Sequence, residues 1–359
     1  MKSAYSFLDR YKSSLKSISS HIREKVNRQG GLSEERLLGL ILNPTDFSVV
    51  DPGFPDERSV RMESDKEKCE SAGKNEIDLG KVAYCIMAGG AGTRIGEPKA
   101  LLKIPGIDMS LLTLKLFQAQ GAGPIWIVVS PTLKQKIVDH VKSQAGFDQS
   151  RIEFVEQYES YRLTPDNQIS FIDESTPNMY PCGHGDLFPA LYSSGLLQKF
   201  ASSGGKYISI VNVDNVMGDL NPSIIGRHIL SNAKVSCEVV ERREKDSGGV
   251  LCEVDGSLQI VEEFRVKGKD AKLFKWLNTN SFVVNADLEL GKLGNSWNRV
   301  QKNVDGRVLV QHERLLQEIT SAYETNYLMI NREDRFFPVK NLEDLIEVSK
   351  KLDGNLKFR

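Results

Sequence analysis

Residues 86–104 read IMAGGAGTRIGEPKALLKI: an apolar run breaks into small residues and then presents an arginine and a lysine. Gly89, Gly90 and Gly92 carry no side chain, so with Ala91 and Thr93 they form a loop whose backbone N–H groups can approach an anion closely. Arg94 and Lys99 add fixed positive charge, and Pro98 stiffens the turn that presents the lysine. The chemistry this suits is the grip of a polyphosphate; the plainer alternative is a glycine-rich turn with no ligand. Two familiar phosphate loops do not fit. In the dinucleotide fingerprint the third glycine would fall on Ile95, and LLTLKLFQAQ, about 20 residues on, offers no acidic residue for a ribose. The G-x-x-x-x-G-K-[ST] loop fails because Gly96 precedes Glu97.

A second set of polar residues sits in MYPCGHGDLFPALYSSGLLQKF, KYISIVNVDNVMGDLNP, LNTNSFVVN and DRFFPVK. Asp214 closes an apolar run, and at the carboxyl edge of a sheet its carboxylate suits Mg²⁺ held against phosphate oxygens. An N-cap is its plainer role. His184 lies between two glycines, and a structural histidine is the alternative there.

These residues need a scaffold. The runs VAYCIMA, PIWIVVS, RIEFVEQ, YISIVNV, KVSCEVV and SFVVNA alternate with helix-like stretches, the rhythm of an α/β fold with a mostly parallel sheet flanked by helices. Ahead of them Tyr11, Leu15, Ile18, Ile22 and Val26 recur at steps of three and four, which predicts one amphipathic helix. GGLSEERLLGLIL predicts a second, with Ser33 as N-cap and Glu34 and Glu35 in its first turn. Residues 51–78 are polar and without period, which reads as a linker. Residues 1–78 are therefore expected as a helical appendage and linker, and 79–359 as the main domain.

Composition narrows the partners. The 359 residues carry a formal net charge of −1, so no global basic field points to nucleic acid, and an anionic ligand must be met by local charges. Five scattered cysteines with no C-x-x-C pair suggest a reducing compartment. The opening residues lack an apolar core of signal-peptide length and nowhere do about 18 apolar residues run together, so a cytoplasmic protein without a membrane span is expected.

Across residues 80–350 the motifs, in order, resemble the eukaryotic-type UDP-glucose pyrophosphorylases and their UDP-N-acetylhexosamine relatives. The resemblance rests on Gly89 to Lys99, Gly183 to Asp186, Asn212 to Asn215, Asn278 to Asn280, and Lys340. It implies a Rossmann-like nucleotidyltransferase fold and the transfer of a uridylyl group from UTP to a sugar 1-phosphate, glucose 1-phosphate first, with Mg²⁺. It places Gly89, Gly90, Ala91, Gly92, Thr93, Gln157, Gly183, His184 and Asp214 at the nucleotide, with Gln157 pairing with uracil. It places His184, Asn215, Gly249, Glu262, Asn278 and Asn280 at the sugar, and makes Arg94, Lys99 and Lys340 the catalytic cations. Glu263 is the alternative to Glu262, since neighbours on a strand face opposite ways. For Gln157 the alternative is a surface amide, and for Lys340 a surface lysine.

The resemblance has two departures. The loop carries Arg94 and is short before Pro98, as in the acetylhexosamine branch. The sequence also stops at Arg359, where many members continue into a β-helical domain, so a monomer or small homo-oligomer is expected. The sugar stays open among glucose, galactose and N-acetylglucosamine. A nucleotide-sugar sensor without turnover is the alternative of a different class.

Overall fold

Each apolar run expected to be a strand is one, and all but the edge strand from RIEFVEQ are largely buried on both faces. The computed structural model describes residues 2–42, 50–56, 60, 65–90, 96–293 and 297–353. Helices α1 (Lys2–Ser17), α2 (Ser20–Arg28), α3 (Glu34–Leu42) and α4 (Lys66–Asp78) come first. After β1 (Val82–Met87) come β2 (Lys103–Ile104), β3 (Met109–Ser110), α5 (Leu111–Gln118), β4 (Ile125–Val129), α6 (Pro131–Ser143), β5 (Ile152–Glu156), β6 (Glu159–Tyr161) and β7 (Met179–Pro181). The middle of the chain holds α7 (Leu187–Ser193), α8 (Leu196–Ser202), β8 (Tyr207–Asn212), α9 (Pro222–Ser231) and β9 (Val235–Glu241). The remaining strands are β10 (Gly249–Val254), β11 (Ser257–Glu262), β12 (Trp276–Asn285), β13 (Asn298–Val304), β14 (Arg307–Glu313) and β15 (Thr325–Met329), and the helix Leu342–Asp353 ends the described chain.

The central sheet runs β15-β9-β12-β8-β1-β4-β5, with the hairpin β10-β11 added to the first half of β12. β5, β4, β1 and β8 are parallel, as are β9 and β15, and β12 runs against its neighbours β8 and β9. The sheet is mixed and mostly parallel. Period-2 alternation splits β1 between two cores. Val82, Tyr84 and Ile86 pack with Leu112, Ile137 and Ile225 on one face, while Ala83, Cys85 and Met87 pack with Phe188, Leu191 and Phe200 on the other. All five cysteines are buried. Among the described residues no helix is long and apolar enough to cross a membrane.

Two expectations about the start of the chain need correction. The first amphipathic pattern is broken into α1 and α2, because Ser19 adopts ψ 145° and caps Ile22 N–H through its side chain. Tyr11, Ile18 and Val26 still reach one core, shared with Leu32, Leu37, Tyr161, Leu163, Trp297 and Val310. The helix after Ser33 forms as expected, with Arg36 N–H donating to Ser33 Oγ at 3.2 Å.

The second correction concerns residues 51–78, read as a linker but containing the helix α4. Its inward stripe is Cys69, Gly73 and Ile77, one residue per turn, too narrow to register as a hydrophobic period. The stripe works because α4 crosses α9 backbone to backbone. A Cβ on Gly73 would lie 1.8 Å from Pro222 O, and one on Gly226 would lie 1.8 Å from Cys69 O.

The crossing gives a prediction with a sign. In an uncrowded helix Gly226→Ala would stabilise by up to about 1 kcal/mol through propensity alone. Here the methyl meets a carbonyl that cannot swing aside, so the substitution should destabilise by about 1–3 kcal/mol, as overpacking does. A lowered thermal midpoint is expected; a raised one would mean that the helices do not touch.

Candidate active site

The cleft is assembled where β1, β4, β5 and β8 end together. β1 gives way to Ala88, whose N–H donates to Val128 O at 2.8 Å, and then to Gly89 and Gly90. Gly89 has a reason to lack a side chain: a Cβ there would lie 2.0 Å from Gln157 Oε1. Gln157 follows β5, is 7% exposed, and donates from Nε2 to Gly183 O at 3.3 Å. Three of the nucleotide residues expected from sequence, Gly89, Gln157 and Gly183, are thus linked through Gln157. Ala91, Gly92, Thr93 and Arg94 lie outside the described residues.

The chain returns at Gly96 with φ +82° and turns through Pro98 into a single 3-10 turn beginning at Lys99. Lys99 Nζ lies 2.6 Å from Asp214 Oδ2, with the two side chains 24% and 20% exposed. Asp214 is placed by β8, and its carbonyl accepts from Val339 N–H at 2.9 Å. Lys340, half-buried, is the next residue, so the FFPVK segment is tied by its backbone to the residue that Lys99 pairs with.

Beneath the turn 214–219 lies a set of buried polar contacts that the sequence does not announce. Gly218 O accepts from Tyr84 OH at 2.6 Å and from Lys115 Nζ at 2.7 Å, and Val216 O accepts from Gln118 Nε2 at 2.7 Å. Burial pushes the Lys115 amine down to about 7, although Asp219 pulls the other way. The Arg335 guanidinium grips Glu238 through both carboxylate oxygens at 2.7 and 2.9 Å and also pairs with Asp219.

Asn215 has a different occupation from the sugar contact expected of it. It is 1% exposed, with Nδ2 donating to Arg335 O at 3.0 Å and Oδ1 accepting from Phe337 N–H at 2.9 Å. Its amide is spent on holding the 335–337 segment. A strand-end asparagine gives no hint in sequence that its partners lie more than 100 residues away.

The GHGD turn is pressed against residues 314–316. Gly183 takes φ +101°, and a Cβ there would lie 2.3 Å from Arg314 O. His184 Nδ1 accepts from Leu316 N–H at 2.8 Å, and burial lowers its pKa to about 4. The imidazole is therefore neutral near pH 7, with its proton on Nε2, where it can donate.

Of the expected sugar residues, Gly249, Glu262, Asn278 and Asn280 lie together on the far side, while His184 stays with the GHGD turn. Gly249 pairs with Glu262 across β10 and β11, and a Cβ on Gly249 would lie 3.4 Å from Glu262 Oε1 and 3.7 Å from Asn278 Cβ. β12 bulges between Asn278 and Phe282, Asn280 takes φ +58°, and its N–H donates to Asn278 Oδ1 at 2.8 Å. Asn280 Nδ2 donates to Asn212 Oδ1 at 3.0 Å, which links this end to the Asp214 turn. Asn280 Oδ1 is buried with no partner among the described residues, an acceptor suited to a hydroxyl.

Burial, then the neighbouring Glu263, raises the Glu262 carboxyl to about 7, and Gln317 donates to it. β11 stops at Glu262, so strand alternation does not decide between Glu262 and Glu263. Glu263 instead pairs with Arg242 and accepts from Gly248 N–H at 3.2 Å. Gln317 and Arg314 were missed because HERLLQEIT carries no motif.

Among the described residues no group of three His, Cys, Asp or Glu side chains is arranged to hold a metal. That leaves Asp214. One carboxylate beside a phosphate site fits Mg²⁺, which takes one or two protein carboxylates and completes its shell with substrate phosphates and water.

A family model described as UTP–glucose-1-phosphate uridylyltransferase matches residues 54–353. A probable UTP–glucose-1-phosphate uridylyltransferase of Schizosaccharomyces pombe is 26% identical over 310 residues, covering 78% of this chain and 61% of the relative. The Saccharomyces cerevisiae UTP–glucose-1-phosphate uridylyltransferase is 24% identical over 316 residues, covering 79% and 63%. The chain thus spans about three fifths of the length of these curated relatives. Two solved structures share the fold. The UDP-N-acetylglucosamine pyrophosphorylase of Trypanosoma brucei superposes with a TM-score of 0.74 at 19% identity, over 94% of this chain and 79% of that one. A Leishmania major UDP-glucose pyrophosphorylase superposes with a TM-score of 0.69 at 19% identity, over 87% and 73%. The match over residues 54–353 means that the chain belongs to the UTP–glucose-1-phosphate uridylyltransferase family.

Proposed function

We propose that the chain is a UTP-dependent sugar-1-phosphate uridylyltransferase, converting UTP and a sugar 1-phosphate, glucose 1-phosphate foremost, to UDP-sugar and pyrophosphate. The observation that carries this reading is the Lys99–Asp214 pair at 2.6 Å with Lys340 tied to the same aspartate through Val339. Phosphoryl transfer asks a protein mainly to position groups and neutralise charge, and these residues supply both signs at one point.

In this reading the sugar phosphate oxygen attacks the α-phosphorus of UTP in line and pyrophosphate leaves. No general base is required, because a phosphate monoester is already anionic near neutral pH. Gly89 and Gly90, with Ala91, Gly92, Thr93 and Arg94, hold the triphosphate together with Lys99. Gln157 and Gly183 face the base, and His184 donates from Nε2. Lys340 meets the sugar phosphate and the transferring phosphoryl group. Glu262, Asn278, Asn280 and the Gly249 backbone meet sugar hydroxyls, where acceptors are needed. Asp214 would hold Mg²⁺, which when bound offsets charge on the α-phosphate and the leaving group. Lys99, now paired with Asp214, would turn to the triphosphate when substrate binds. Pyrophosphate release measured over a panel of sugar 1-phosphates with UTP, CTP, GTP, ATP and dTTP tests the reading; no release with UTP and any sugar would sink it.

Three further outcomes follow from the residues. Lys99→Ala removes a cation from a partly dry cleft and should lower kcat roughly a hundredfold while the fold survives. Activity within about threefold of wild type in a folded protein would remove Lys99 from the mechanism. Asp214→Asn deletes charge at nearly constant size, so the Mg²⁺ concentration for half-maximal rate should rise sharply; an unchanged Mg²⁺ dependence would point to a structural role. For Glu262 the sign comes from its raised pKa of about 7. Below that pH the carboxyl is protonated and accepts fewer hydroxyl donors, so KM for the sugar 1-phosphate should fall between pH 6 and 8. Glu262→Gln should flatten that part of the profile; an unaltered profile in the variant would exclude Glu262 from the sugar site.

A further inference from the structure

Arg314 stands where three parts of the molecule meet. It is 7% exposed, and its guanidinium lies 4.6 Å from the centre of the Trp297 ring. Nε donates to Asp186 Oδ1 at 2.6 Å, and Nη2 donates to Gly30 O at 3.4 Å. Its backbone is used as fully: the N–H donates to Cys182 O at 2.8 Å and the carbonyl accepts from Gly185 N–H at 3.0 Å. Gly183 and Gly185 lack side chains where each would strike the Arg314 backbone. Two residues further on, Leu316 N–H fixes the His184 ring.

The same N-terminal stretch that meets Arg314 also grips the residues just after Gln157. Gln29 Oε1 accepts from Glu159 N–H at 3.0 Å, Lys25 pairs with Glu159 at 2.9 Å, and Leu32 O accepts from Ser160 Oγ at 3.2 Å. Gly31 lies so close to Tyr158 that a Cβ there would be 2.7 Å from the tyrosine Cβ. Gln157 and Gly183 are thus each followed within three residues by a group that residues 25–32 hold, directly or through Arg314.

We propose that Arg314 is a positioning residue for the GHGD turn, and that through it and through Tyr158–Ser160 the N-terminal segment sets affinity for the nucleotide and not for the sugar. The inference rests on the assignment of Gln157 and Gly183 to the nucleotide made above. A planar fork is needed because one guanidinium must reach a carboxylate and a backbone carbonyl while stacked on an indole, which a lysine cannot do. Asp186, fully buried, has its carboxyl raised to about 6 by burial, against the pull of Arg314, so the arginine is what keeps it charged and the turn in register.

The test uses full-length protein with Arg314→Met and the double variant Arg314→Met/Asp186→Asn, which removes both buried charges together and protects the fold. UTP affinity is measured by calorimetry, and KM is measured for each substrate. In the double variant the UTP Kd and KM should rise at least about tenfold, the scale that misplacement of a binding group produces, while KM for the sugar 1-phosphate stays within about twofold. Gln29→Ala, which leaves the cores intact, should raise the UTP KM in the same sense. Wild-type UTP affinity in the folded double variant, or an equal rise in both KM values, overturns the proposal. If the double variant does not fold, a wild-type UTP KM in Gln29→Ala does so. A wild-type enzyme that neither binds UTP nor releases pyrophosphate would instead remove the functional reading and this inference with it.

Discussion

The Lys99–Asp214 ion pair is the contact on which the rest of the cleft depends. Its partners come from opposite ends of a 115-residue separation, one from the turn after the glycine loop and one from the end of β8. Under the proposed function the empty site has a difficulty: cations meant for a polyphosphate repel one another and a carboxylate meant for a metal would be left bare. Pairing the lysine with the aspartate settles both charges in the resting protein. Ligand binding then becomes an exchange of partners of similar strength, and neither group has to be stripped of its counter-charge beforehand.

Holding that pair at the right place falls to buried charges behind it. Arg335 with Glu238 and Asp219 fastens the segment that leads to Lys340, and Lys115 with Tyr84 fastens the carbonyl of Gly218. Such contacts add little net stability, because desolvating the charges costs about what their attraction returns. Their worth is geometric. An apolar residue in place of Arg335 would leave the buried Glu238 carboxylate without its partner, so the turn would lose its orientation and the protein much of its stability together.

The parts of this arrangement that were legible in the sequence are those with local causes. A strand buried on both faces must be apolar throughout, so β1, β4 and β8 declare themselves, and a glycine loop followed by a lysine declares its backbone. What was hidden depends on distant partners. α4 looked like a linker because two glycines do the work of a hydrophobic face, and their meaning appears only when Pro222 and Cys69 are seen against them. Asn215 looked like a ligand because its carbonyl and N–H partners belong to a segment 120 residues later. The difference between Glu262 and Glu263 came from Arg242, a partner of Glu263 that lies 21 residues away and that pattern alone does not reveal.

The location of the third core also has a consequence in time. Tyr11, Val26 and Leu37 find their apolar partners in Trp297 and Val310, and Gly30 finds Arg314. A ribosome adds roughly 5–20 residues each second, so the opening helices wait on the order of tens of seconds before the chain that covers them exists. During that interval their apolar faces are exposed, and chaperones have a client. The brace on the GHGD turn forms only once residues 297–316 have been made, and the segment that reaches Asp214 through Val339 follows it.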